Sequence, residues 1–178
     1  IGHPVTWIGK VISYFERSLN KRKYPTKLLK LFGTLTFFIV VLPITTAAFL
    51  IDQMLMKFYY GFAIQSLLVW PFLATRSLYT HVRDIADQLH KNDLIASREA
   101  LAKIVGRDLK NSDENIICRG AIESLSENTS DGIIAPLFWA FLFGLPGIVF
   151  YKAINTLDSM IGYKNDKFLN FGWFSASV

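Results

Sequence analysis

The chain has 178 residues, 52% of them hydrophobic and 15% aromatic, with a mean hydropathy of +0.32 and a net charge of +5. That length holds one soluble domain, or a few membrane helices with a modest soluble part. The positive charge does not mark a nucleic-acid face: residues 1–30 carry seven Lys/Arg against the single acid Glu16, next to an apolar stretch, which is the pattern of a cytoplasmic membrane flank. Cys118 is the only cysteine, which excludes a disulfide framework and a thiolate metal site within the chain.

Residues 1–30 form a basic, amphipathic N-terminal segment. From Trp7 to Phe15 apolar residues recur at helical spacing, as in a helix lying along a membrane surface. The chain starts at Ile1 and stops at Val178 without a polar tail, and reads as a piece of a longer protein. It shows no signal peptide, since its first strongly apolar run starts about 30 residues in and is too long for one.

Three stretches carry no charge: Leu31 to Ile51, Phe58 to Thr75 and Gly132 to Tyr151, of 21, 18 and 20 residues. About 20 apolar residues are needed to cross the hydrocarbon core. Residues 31–75 are therefore expected to form two transmembrane helices, with Pro43 and Pro71 tolerated as membrane helices allow. By the Lys/Arg bias the N-terminal segment and residues 76–131 face the cytoplasm, and the link from Asp52 to Lys57 faces outward.

Residues 76–131 have the composition of a helical cytoplasmic section. Leu78, Val82, Ile85 and Leu89 recur at steps of three and four. Asn92-Asp93 supplies a break and an N-cap. A second helix follows, with Leu94, Leu101, Ile104 and Val105 inside, ending at Gly106. Ser112 or Asp113 caps a third helix that runs to about Glu127. Residues 132–152 differ from the earlier apolar stretches because they contain Phe143-Gly144-Leu145-Pro146-Gly147. Proline removes an amide donor and glycine loosens the backbone, so this helix is broken: either a kinked span or a re-entrant hairpin. Residues 153–178 carry a second polar motif. The fold class is all-α, a polytopic integral membrane protein with a helical cytoplasmic section.

Common nucleotide signatures are missing: Gly2 and Gly9-Lys10 are spaced wrongly for a P-loop, and Val11 stands where a hydroxyl is needed. His3, His81 and His90 are too dispersed to suggest a metal site. The chemistry-bearing residues lie in Gly106 to Gly132 and around Asn155. Arg119, Glu123 and Glu127 fall at i, i+4 and i+8 on one helix face. Glu127, Asn128 and Asp131 cluster just before the broken apolar segment. Asn128-Thr129-Ser130-Asp131 and Asn155-Thr156-Leu157-Asp158 repeat the form Asn-Thr-x-Asp on either side of it. Such hard oxygen ligands suit Mg²⁺ with substrate phosphates. Equally, they suit a solvated helix with ion pairs and a cap. The second cluster, at the border of a membrane segment, favours a functional role. Arg107 and Asp108 either hold a loop or bind a phosphate or carboxylate, and Lys152 either snorkels or holds a phosphate.

These segments, in this order, resemble the adenosylcobinamide-phosphate synthase family, membrane proteins of late cobalamin biosynthesis. The resemblance runs through His3-Pro4-Val5 with Trp7-Ile8-Gly9, Ser77-Leu78 with His81-Val82, Ala96 to Arg98, and Val105-Gly106-Arg107-Asp108. It continues through Glu123-Ser124 with Glu127 to Gly132, Ala135 to Trp139, and Tyr151-Lys152-Ala153 with Asn155 to Tyr163. Two departures stand out. Leu109 replaces the usual threonine after Gly-Arg-Asp. The family also continues beyond Phe171-Gly172 into an Asp-Asp, Asn and Pro-Ala-Arg region and a last membrane segment.

The resemblance implies a multi-pass cell-membrane enzyme that uses Mg-ATP to join a corrinoid carboxyl, that of adenosylcobyric acid, to aminopropanol or its phosphate. Its partners are then the corrinoid, the amino alcohol and the lipid bilayer, with no nucleic acid. The expected roles are Glu127, Asp131 and Asp158 for Mg²⁺–ATP, and Asn128 and Asn155 for phosphate or carboxylate oxygens. Arg107, Asp108, Arg119 and Lys152 are placed at the substrate, with Glu123 taking the amine proton. Two other functions stay open: a non-catalytic regulatory relative, and a corrinoid transporter built around broken helices.

Overall fold

The computed structural model describes residues 4–106 and 108–178, so Arg107 and His3 lie outside the described residues. Among the described residues the chain is all helical, with no strand, as the sequence indicates. The helices are α1 (Pro4–Leu19), α2 (Thr26–Leu55), α3 (Gly61–Val69), α4 (Thr75–His90), α5 (Leu94–Ala102), α6 (Glu114–Thr129) and α7 (Ala135–Ile161). A 3₁₀ turn (Trp70–Phe72) follows α3, and a π-helical stretch (Ser130–Ile134) joins α6 to α7. The chain divides into two compact units, one of Ile1–Phe72 with Pro136–Val178 and one of Leu73–Ala135.

In the first unit, α1, α2 and the second half of α7 share one core. Ile8 and Ile12 of α1, Phe37, Val40 and Val41 of α2, Ala153, Leu157 and Ile161 of α7, and Phe171 from the C-terminal turns pack together. Their spacing of three, four and eight residues puts each set on one helix face. The exposed side of α2 is no less apolar: Leu31, Leu35, Phe38, Ile39, Leu42, Phe49 and Leu50 all face outward. A helix that is apolar all round suits hydrocarbon better than water. The C-terminal turns cross α2 at Gly33, where a Cβ would stand 1.7 Å from the Phe171 carbonyl oxygen. Any side chain at Gly33 would push that backbone away.

Among the described residues, two helical runs have the length and apolar composition to cross a membrane, Thr26–Leu55 and Glu114–Ile161, the second of them interrupted at Gly144. Pro43 sits inside α2 without ending it. The expectation of a second crossing over Phe58–Thr75 needs correction. There α3 has nine residues, about 14 Å at 1.5 Å per residue, roughly half of a hydrocarbon core. Absence of charge over 18 residues did not guarantee a helix of that length, because the Lys57–Tyr60 turn and the Trp70–Phe72 3₁₀ turn use up both ends.

α7 is broken at Gly144, whose φ of 64° and ψ of −146° are available to glycine alone. Trp139 stacks on Phe143, and its ring also meets Phe150 at 6.1 Å. Eleven residues along a straight helix would span about 16 Å, so the chain folds back on itself here. At the turn, Asp52 near the end of α2 accepts hydrogen bonds from the Gln65 side chain and, at 3.4 Å, from the Leu145 N–H. The carboxyl thus tethers α3 and caps the start of the second half of α7.

In the second unit, Ile85, Ala100, Leu101, Leu109 and Ile117 form the core, with Leu89, Ile104, Val105 and Ala121 against it. Asp93 caps α5 through Ala96 N–H at 2.9 Å, and Asp113 caps α6 through Ile116 N–H at 2.8 Å. Asn92 takes the left-handed turn between α4 and α5 with φ 56°. Two details differ from expectation. Leu94 opens α5 on its exposed side, and α5 ends at Ala102 rather than Gly106. Leu109 is buried in the core, so the position at which the resembling family carries a threonine is here a packing residue.

Candidate functional site

Each unit carries part of the polar sequence. In the second unit, Arg119, Glu123 and Glu127 lie on α6 and are exposed. Asn128 follows on the same helix, and Asp131 stands in the π-helical stretch, also exposed. Glu127 and Asp131, on consecutive turns, make no ion pair among the described residues, which leaves both carboxylates available to a ligand there. Asp108 is exposed, and its Oδ1 accepts from the Lys110 N–H at 3.1 Å and closes a turn. Arg107 lies outside the described residues.

In the first unit, Lys152 is buried on α7, Asn155 is half-buried and Asp158 is exposed. Thr156 bonds back to the Lys152 carbonyl at 2.6 Å. Thr156 and Met160 border an open groove of about 620 Å³ on α1, which also presents Lys10 and Arg17.

Metal-binding capacity follows from the donors. Among the described residues no three His, Cys, Asp or Glu side chains gather as a metal cage requires. Mg²⁺ seldom needs one, because it takes one or two carboxylates and completes its shell with water and phosphate oxygens. The exposed carboxylates of Glu127 and Asp131 fit that mode. Asp158 belongs to the other unit, and its share in the same set rests on the resemblance.

One polar cavity was not legible in the sequence. A cavity of about 300 Å³ in the second unit is lined by Ala74, Ser77, Leu78, His81, Lys103, Ile104 and Asn128. His81 Nδ1 lies 2.6 Å from the Ser77 carbonyl oxygen. A carbonyl only accepts, so Nδ1 carries the proton, and in the neutral ring Nε2 is the acceptor. Asn128 donates its amide to the Ser124 carbonyl at 2.8 Å and to Ser124 Oγ at 3.1 Å. Its Oδ1 remains as an acceptor. Lys103 Nζ meets Asp84 Oδ2 at 3.0 Å on the exposed rim. The available sequence signal was Ser77 and His81, four residues apart on one helix face and both within a resembling segment.

Comparison with known proteins covers the whole chain. The family model described as CobD/Cbib protein matches residues 1–178. A cobalamin biosynthesis protein CobD from Rhodobacter capsulatus is 46% identical over 178 residues, 100% of this chain and 56% of its own length. One from Sinorhizobium fredii is 45% identical over 99% of this chain and 54% of its own. A probable cobalamin biosynthesis protein CobD from Methanocaldococcus jannaschii is 41% identical over 99% of this chain and 58% of its own. The chain thus spans a little over half the length of these curated relatives. No solved structure matches it. With the family model satisfied from the first residue to the last, on an all-helical fold with long apolar helices, the chain belongs to the CobD/Cbib protein family.

Proposed function

We propose that this protein acts in cobalamin biosynthesis as an ATP-dependent amide-forming enzyme. It would join the free carboxyl of adenosylcobyric acid to aminopropanol or its phosphate at the cell membrane. The match of the family over all 178 residues, with relatives named for cobalamin biosynthesis, carries the reading. The chemistry on the page supports it. A carboxylate is a poor acyl donor until its oxygen is phosphorylated, and phosphoryl transfer depends on positioning and charge neutralisation. Bound Mg²⁺ would supply that neutralisation. Glu127 and Asp131, exposed and without an ion pair among the described residues, would hold it, with Asp158 as the further ligand expected from the resemblance. Asn128 and Asn155 would orient oxygens, and Arg119 and Lys152 would meet phosphate or carboxylate charge.

The test uses the full-length protein in lipid nanodiscs with the corrinoid acid, either amino alcohol and Mg-ATP. The reading predicts the amide, with one ADP per amide formed. Corrinoid binding without product in the presence of ATP would point to a regulatory relative instead. Corrinoid accumulation in sealed vesicles without product would point to transport.

A further inference from the structure

We propose that the cavity framed by Ser77, His81, Lys103 and Asn128 receives the small amine partner of the reaction, and that His81 Nε2 accepts the proton its nitrogen loses. This rests on the amide-forming reading above. It also moves the proton-accepting role from the exposed Glu123 to His81, a half-buried residue that lines this cavity.

The donors and acceptors are sorted by chemistry. His81 Nδ1 is committed to its own helix through the Ser77 carbonyl, so the edge left for a ligand is Nε2, an acceptor in the neutral ring. The Asn128 amide is committed to Ser124, which leaves Oδ1, a second acceptor. Two acceptors in one small cavity match a nitrogen that brings two N–H groups. The cation is Lys103, which lines the cavity together with Ala74 and Ser77 from the start of α4. Among the described residues no side chain caps the α4 N-terminus at Ala74, so the backbone N–H groups of its first turn add positive potential there. Lys103 and that turn suit the phosphate of a phosphorylated amino alcohol, and the Ser77 hydroxyl suits either a phosphate or an alcohol oxygen. A cavity of about 300 Å³ fits a small molecule, far below a corrinoid in size.

The step balances as follows. The neutral amine nitrogen attacks the carbonyl carbon of the carboxyl phosphate formed from ATP, and a C–N bond forms. The C–O bond to phosphorus breaks, its electron pair leaving on inorganic phosphate. The proton released by nitrogen passes to His81 Nε2.

The experiment compares full-length wild type, His81→Gln and Lys103→Met, with hydroxylamine as an alternative nucleophile. Hydroxylamine is neutral at pH 7 and needs no base, so it reports carboxyl activation alone. His81→Gln should lower the amide rate about 100-fold or more, while hydroxamate formation stays within about twofold. Lys103→Met should raise KM for the phosphorylated amine at least about tenfold and leave KM for the unphosphorylated amine unchanged. Amide formation at the wild-type rate in His81→Gln overturns the proposal. So does an unchanged KM for the phosphorylated amine in Lys103→Met where that amine is the substrate used. A wild type that gives neither amide nor hydroxamate contradicts instead the ATP-dependent reading on which the proposal rests.

Discussion

Asp84 shows how closely Lys103 is bound to its surroundings before any ligand arrives. The hydrogen bond from Lys103, then its charge, holds the Asp84 carboxyl below its ordinary value of 3.8. A carboxyl whose folded value is depressed stabilises the fold above its unfolded value, and loses that contribution as pH falls through the folded one. Both side chains are largely exposed, so the contribution is small and screened by salt. NMR titration should place Asp84 below 3.8 in the wild type and higher in Lys103→Met. No movement would mean that the contact does not form in solution. The carboxylates behave differently: Asp131→Asn and Asp158→Asn in the full-length protein should each slow turnover at least about tenfold, the lower end of what loss of a metal-site group costs. Full turnover in both would remove them from the magnesium set. At this scale the sequence was a partial guide. The caps at Asp93 and Asp113 were legible because an Asp before a periodic apolar run has one common use. His81 was not, since a lone histidine gives no sign of which ring nitrogen its own helix will occupy.

The break in α7 was legible as a break, because Gly-Leu-Pro-Gly cannot continue a regular helix. Its partner was not. Asp52 read as the polar start of an outward link, whereas it lies within α2 and joins α2, α3 and α7 through Gln65 and Leu145. Hydrophobic pattern reports length and face, and says nothing of a hydrogen bond 93 residues away. Gly144→Ala should destabilise the protein by about 1–3 kcal/mol, because alanine does not adopt that backbone conformation. Its Cβ would also stand 2.6 Å from Gln65 Nε2. Asp52→Leu should cost about 1–3 kcal/mol by leaving a side-chain amide and a backbone N–H without an acceptor. Unfolding midpoints in a fixed detergent measure both. A Gly144→Ala midpoint equal to wild type would mean that the turn relaxes easily and is not held by its neighbours. The short α3 was missed for a related reason: the uncharged run counted turns as helix.

For the molecule as a whole, the apolar composition was the legible signal, since it anticipated an all-helical fold with long apolar helices. Among the described residues, two apolar helical runs, the second interrupted at Gly144, follow a basic N-terminal segment, and that is the composition a membrane protein has. The division into two units follows the same line, with mixed-charge helices in 73–135 and apolar ones on either side. The chemistry ascribed to it is phosphorylation of a carboxyl followed by its capture by an amine, and oxygen isotopes follow that sequence directly. Adenosylcobyric acid labelled with ¹⁸O in its free carboxyl is given to the full-length protein with amino alcohol and Mg-ATP, and the phosphate released is weighed. The account predicts one ¹⁸O per amide in inorganic phosphate, carried across when the acyl–oxygen bond breaks. Amide formation with unlabelled phosphate, or with the label in AMP, would contradict it.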